Sequence, residues 1–150
     1  MYGFLYNCRP LIALDGMFLK GTYKGILLAA ICVDANGGML PIAIAVVDIE
    51  DTDSWVWFLT CLWEQLNERP NLRFTIISDR QKGLKNAIQR VFLDCFQGYC
   101  IHHMGESFKR RWKNHVLLPL FWDAVRALRP KDFQVRCQKI EKLMLRRISG

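Results

Sequence analysis

Asp15 sits inside the apolar run Leu11-Ile12-Ala13-Leu14-Asp15-Gly16, and Asp79 closes a second such run, Leu72 to Asp79, where a helical pattern begins. A carboxylate in an apolar strand is costly unless it is hydrogen-bonded or neutralised by a cation, so each aspartate requires a partner. If the two strands are neighbours, the carboxylates converge at one end of a sheet. Two hard, anionic oxygen donors with open water positions suit Mg²⁺ or Mn²⁺ rather than zinc. Either aspartate alone reads equally well as a strand-end or turn-forming residue; it is the pair that points to a metal. Arg80 and Lys82 flank Asp79 closely enough to contact phosphate, although a solvent-facing helix start accounts for them too.

A second set of candidates lies further along. Cys100 and His103 form Cys-x-x-His, half of a zinc set, but neither His102 nor His115 is spaced to complete a tetrahedron. A packed thiol beside a histidine near DNA is the simpler reading, and no structural zinc is expected. The six cysteines are scattered through apolar segments without a CxxC pair, which argues against a disulfide framework and a zinc ribbon. Lys109, Arg110, Arg111 and Lys113 surround Trp112, an arrangement that can grip phosphates while the indole stacks on an unpaired base, or that merely anchors a basic helix. Residues 101–150 hold twelve Lys and Arg against four acids, a local +8, so the first hundred residues carry −1 of the chain's +7. Such asymmetry suggests nucleic acid approaching the C-terminal third, or a solvated basic helix face. No apolar run reaches the roughly 20 residues of a membrane span and no secretory leader is visible, so a soluble, intracellular protein is expected.

The elements that must position these residues follow from periodicity. LIALDG at 11–16, GILLAAICVD at 25–34 and MLPIAIAVVDI at 39–49 read as consecutive strands. Asp34-Ala35-Asn36-Gly37-Gly38 predicts a tight hairpin, and Gly21 to Lys24 a turn, giving an antiparallel meander. Asp53 or Ser54 can cap a helix in which Trp55, Phe58, Leu59, Leu62, Trp63 and Leu66 recur, until Asn67 to Pro70 stops it; its tryptophans, Trp57 included, are core or interface anchors. LRFTIISD at 72–79 predicts a strand buried on both faces, joined in parallel by a crossover, and Leu84, Ala87, Ile88, Val91 and Phe92 a further helix. A short fifth strand near Gly98 to Ile101, a basic helix through Lys113, and a helical tail from Leu117 to Leu145 broken by Pro119 and Pro130 complete the chain. This is the order of the α/β ribonuclease-H-like fold: a five-stranded mixed sheet, antiparallel in its first three strands, with flanking helices, in one domain over residues 1–150.

At these residues the sequence resembles the Mutator-like (MULE) DDE transposases. CRPLIALDGMFLKGTYKGILLAAICVDANGGMLPIAIAVVDIEDTDSWVWFL is similar to the family's LDGT-type first aspartate, Lys-Gly pair, D-x-N-G turn, P-[IL]-A strand and S-W-x-W-F-L helix start. FTIISDRQKGLKNAIQRVF resembles the segment around its second aspartate, and YCIHHMGESFKRRW its C-x-x-H and basic helix. Residues 4–114 are covered in order, with 115–150 a weakly matching helical tail. The resemblance implies that Asp15 and Asp79 are the first two members of a DDE triad binding two Mg²⁺ or Mn²⁺ ions, that the partner is DNA at transposon ends, and that the protein is nuclear; a homo-oligomer is compatible with it. The third acid is expected on a later helix, at Glu141 or beyond residue 150, with Asp123 and Asp132 the other acids of the tail; the chain then reads as truncated at its C-terminus. Glu50 matches a recurrent acid before the S-W-x-W helix and is either a supporting carboxylate or part of the turn that starts that helix. Two alternatives stand beside a working transposase. One is a domesticated DNA-binding regulator of transcription, similar to the far-red-response factors; the other is an inactive fragment.

Overall fold

The structure is a computed structural model describing residues 2–22, 24–66, 72–113 and 116–148. The chain divides into two compact units, Met1–Cys100 and Ile101–Gly150.

In the first unit a short helix α1 (Tyr2–Asn7) leads into strands β1 (Cys8–Phe18), β2 (Ile26–Asp34) and β3 (Met39–Val47), then helix α2 (Thr52–Leu66), strand β4 (Thr75–Ser78), helix α3 (Lys82–Val91) and strand β5 (Phe96–Tyr99). The sheet order is β3-β2-β1-β4-β5. β1, β2 and β3 pair antiparallel, whereas β4 joins β1, and β5 joins β4, in parallel. This is the ribonuclease-H-like topology expected from the sequence. The hairpin forms as its residues predict. Asp34 Oδ1 accepts the N–H groups of Asn36 at 2.9 Å and Gly38 at 2.7 Å, and Gly37 takes φ +85°, a value side chains resist.

One core holds this unit together. Ile12 and Leu14 of β1, Ile26, Leu28, Ala30 and Cys32 of β2, and Ile76 of β4 pack with Trp55, Phe58, Leu59, Leu62 and Leu66 of α2 and Leu84, Ala87 and Ile88 of α3. Fully burying one such side chain stabilises by about 1.5–3 kcal/mol, so alternation along the strands and three-four spacing along the helices fix which faces meet. Phe92 closes the core edge-to-face with Trp63 at 5.1 Å. Of the cysteines, only Cys32 is fully buried and Cys61 is exposed.

Several boundaries differ from expectation. Asp51, not Asp53 or Ser54, caps α2: its Oδ1 accepts the Ser54 N–H at 2.8 Å, because the helix begins at Thr52. β4 is only four residues long, with Ile76 and Ser78 buried and Thr75 and Ile77 half-buried, so only one of its faces is fully covered. β5 ends at Tyr99 because Ile101 already starts the next helix. The anticipated stop at Asn67 to Pro70 lies outside the described residues.

The second unit is helical: α4 (Ile101–Trp112), α5 (Leu117–Val125) and α6 (Pro130–Ile148). Pro119 does not break the tail. It is the third residue of α5, where its missing N–H would have had no helical partner, and Pro130 opens α6 for the same reason. Leu117, Ala124 and Ile140 form a small core with Phe108, Trp112, Leu120, Cys137, Leu143 and Met144 against it. Among the described residues no helix is long and apolar enough to cross a membrane.

Candidate functional site

β1 and β4 run in parallel with Leu11 opposite Thr75, Ile12 opposite Ile76 and Ala13 opposite Ile77. Two residues further, the same register puts Asp15 level with Asp79, at the carboxyl end of the pair. Here the chain order reverses, since β1 continues to β2 on one side while β4 continues to β5 on the other. Such a switch point leaves a crevice beyond the strand ends that connecting segments do not fill. Asp15 alternates with buried Leu14 and is exposed; Asp79 is half-buried.

Asp79 is held by the turn that starts α3. Its Oδ1 accepts the Gln81 N–H at 2.9 Å, while Gln81 Oε1 caps the helix by accepting the Leu84 N–H at 2.5 Å. Gln81 also donates its Nε2 to the main-chain oxygen of Glu50 at 3.2 Å. One residue, through its main-chain N–H and its side-chain amide, therefore ties the second aspartate to the turn before α2. Gln81 escaped the sequence reading; its only trace there is a polar residue three positions before the first buried leucine of a helix.

Glu50 is a third acid within electrostatic reach of this pair. Its Oε1 accepts the Trp55 indole N–H at 3.2 Å, and the carboxylate lies against the backbone of Gly16, where a Cβ would fall 2.6 Å from Oε1. Burial raises the Glu50 carboxyl above its ordinary pKa; the Trp55 hydrogen bond opposes this, while the charges of Asp79 and Asp15 push it further up. The donor set fits a hard divalent cation: carboxylate oxygens, with a glycine leaving room for one of them. Among the described residues no three Asp, Glu, His or Cys side chains stand close enough to hold an ion as they are. Arg80 and Lys82 are exposed on either side of Gln81.

Other expected residues fall elsewhere. Glu141 is exposed on α6, in the second unit. Cys100 ends the first unit, its N–H donating to the Ser78 carbonyl at 2.6 Å. His103 lies in α4 with a buried Nδ1 that has no hydrogen-bond partner among the described residues. Lys109, Arg110 and Lys113 line an open groove of about 710 Å³ with Glu106, Leu118, Pro119 and Trp122. Trp112, by contrast, packs against the helical core, with the Arg111 guanidinium 5.8 Å from its ring centroid. The aromatic beside the basic groove is Trp122, which the sequence hid among apolar neighbours.

A family model described as "MULE transposase domain" matches residues 11–107, well over half of the chain. A search of curated proteins found no match. Among solved structures, the crystal structure of the catalytic domain of Mos1 mariner transposase is similar at a TM-score of 0.43 and 13% identity, over 89% of this chain and 76% of that one.

Proposed function

The chain belongs to the MULE transposase domain family, and on that premise we propose that it is a DDE-type catalytic core that cleaves DNA and transfers the freed strand, using Mg²⁺ or Mn²⁺ held by Asp15 and Asp79. The observation that carries this reading is the parallel β1–β4 register, which brings the two aspartates level at the switch point of the sheet. A divalent cation bound there supplies Lewis acidity, lowering the pKa of the attacking hydroxyl and stabilising the leaving oxygen. In the cleavage step a water oxygen bonds to the scissile phosphorus as the bond from phosphorus to the 3′ oxygen breaks, leaving a 3′-hydroxyl and a 5′-phosphate. In the transfer step that 3′-hydroxyl attacks a target phosphorus and the target's own bond to its 3′ oxygen breaks.

The chain's residues prepare the site for these steps. Gln81 fixes the orientation of Asp79 through its N–H, so less freedom is lost when a cation is gripped. Arg80 and Lys82, exposed on either side of Gln81, would contact phosphates next to the scissile one. The groove lined by Lys109, Arg110 and Lys113 offers DNA a second, sequence-independent hold. The place of action is then the nucleus, at transposon ends.

Nicking of a supercoiled plasmid in Mn²⁺ tests this. The wild-type chain should nick and Asp15→Ala and Asp79→Ala should not; retained nicking by Asp79→Ala would sink the assignment. A second reading, a DNA-binding regulator without catalysis, draws on the basic groove, which lies wholly in the second unit and owes nothing to the aspartates. Tight DNA binding with no nicking by the wild type in either metal would favour it.

A further inference from the structure

We propose that Glu50 is a third carboxylate of the Asp15–Asp79 site and contacts the divalent cation through Oε2, with Gly16 kept side-chain-free to admit it. The proposal rests on the metal-dependent reading above and adds to it a residue from the turn before α2.

Four placements converge on this. First, Glu50 is tethered to Asp79 through Gln81, which donates its main-chain N–H to the Asp79 carboxylate at 2.9 Å and its side-chain amide to the Glu50 carbonyl at 3.2 Å. Second, the start of α3 sits directly on the start of α2: a Cβ on Gly83 would come 3.0 Å from the Thr52 nitrogen and 3.1 Å from the Asp51 carbonyl carbon, so the two turns are in backbone contact. Third, the carboxylate lies over Gly16, the neighbour of Asp15, where a Cβ would meet Oε1 at 2.6 Å, Cδ at 2.8 Å and Oε2 at 3.1 Å. Fourth, among the described residues only Oε1 carries a hydrogen bond, from the Trp55 indole at 3.2 Å, so the carboxylate is aimed while Oε2 stays uncommitted.

A partly buried acid facing two others is unfavourable by itself, and its repulsion from Asp79 and Asp15 is relieved by a cation placed among them. A purely structural Glu50 would need only its indole bond, which a glutamine supplies equally well through its side-chain oxygen.

That difference makes the test. Mn²⁺ binding is measured on the full chain by the electron paramagnetic resonance signal of free Mn²⁺, for the wild type, Asp15→Asn, Asp79→Asn, Glu50→Gln and Gly16→Ala. Glu50→Gln should keep the far-ultraviolet circular dichroism of the wild type and weaken Mn²⁺ binding about tenfold or more; Gly16→Ala should weaken it by displacing the carboxylate. A second readout needs no variant to fold: in ¹H–¹⁵N spectra of the wild type, the Trp55 indole resonance should move on adding Mg²⁺, because its acceptor changes partners. Loss of binding in both aspartate variants, with Glu50→Gln within about twofold of wild type and the Trp55 resonance unmoved, would overturn the role of Glu50 and leave the aspartate pair standing. Absence of Mn²⁺ binding by the wild type would overturn both.

Discussion

At Asp15, Asp79 and Glu50 the fold carries like charges near one another, and Glu50 registers the repulsion as a raised carboxyl pKa whose first cause is burial. In metal-free solution such an arrangement costs stability that function recovers elsewhere. Asp15→Asn and Asp79→Asn should therefore leave the chain as stable or stabilise it by about 0.5–1 kcal/mol in urea denaturation with a chelator, while Mn²⁺ binding disappears. Asparagine retains the oxygen that accepts the Gln81 N–H, so the turn before α3 survives the change. If both variants prove clearly less stable, the carboxylates are satisfied internally and the cation reading loses its physical basis. The thiols obey a related rule. Burial, the hydrogen bond with Cys8 and the charge of Cys8 push the Cys32 thiol up to about 11, whereas Cys61 is exposed. Titration of the native chain with a disulfide reagent at pH 8 should modify Cys61 at once and leave Cys32 untouched until denaturant is added.

Among the elements, α2 matters most because Glu50 precedes it and Trp55, in its first turn, orients the Glu50 carboxylate. Its start depends on Asp51, whose carboxyl is held below the ordinary carboxylate range by the Ser54 backbone N–H and then the Ser54 side chain. A depressed carboxyl stabilises the fold fully above its unfolded pKa of about 4 and loses that contribution as pH falls through the lower folded value. The melting temperature of the wild type minus that of Asp51→Asn should thus be level above pH 5 and shrink towards pH 2.5; a difference that grows in acid would contradict the cap. In the second unit, Gly105 is buried where a Cβ would meet the Trp122 ring at 2.7 Å. Gly105→Ala should cost about 1–3 kcal/mol by overpacking and displace Trp122, seen as a changed indole resonance. How far these elements were legible in the sequence follows from how local their causes are. The strands, the 34–38 hairpin and the aspartate pair declare themselves by alternation, turn chemistry and a charge in an apolar run. The Asp51 cap was missed because Asp53 and Ser54 are chemically equal candidates, and only the register of the first turn chooses among them. Pro119 was misread as a break because proline is tolerated or excluded according to its distance from the helix start, which composition does not reveal. Gln81 and Gly16 act across 31 residues and across two elements respectively, through contacts that exist only once the chain has folded.

For the molecule as a whole, charge is unevenly divided: residues 101–150 carry +8 and the rest of the chain −1. Three of the twelve cations concerned, Lys109, Arg110 and Lys113, line one groove with Trp122, and one of them, Lys109, has Glu106 3.9 Å away as an exposed counter-charge. An exposed pair at that distance contributes little, so Lys109 remains free to exchange it for a phosphate. Each phosphate neutralised releases counterions, and the logarithm of the binding constant falls with that of salt concentration by about 0.9 per contact on duplex DNA. Fluorescence anisotropy with a labelled duplex from 50 to 300 mM salt should give a steep negative slope for the wild type. The triple substitution Lys109→Gln, Arg110→Gln, Lys113→Gln should flatten it by about 2–3 if all three reach the backbone. Substituting Lys131, Lys139 and Lys142 of α6 in the same way removes equal charge without touching the groove. Equal flattening by both triples would mean that the second unit attracts DNA only as a diffuse positive body; a larger loss from the groove triple would mark the groove as the surface where the DNA lies.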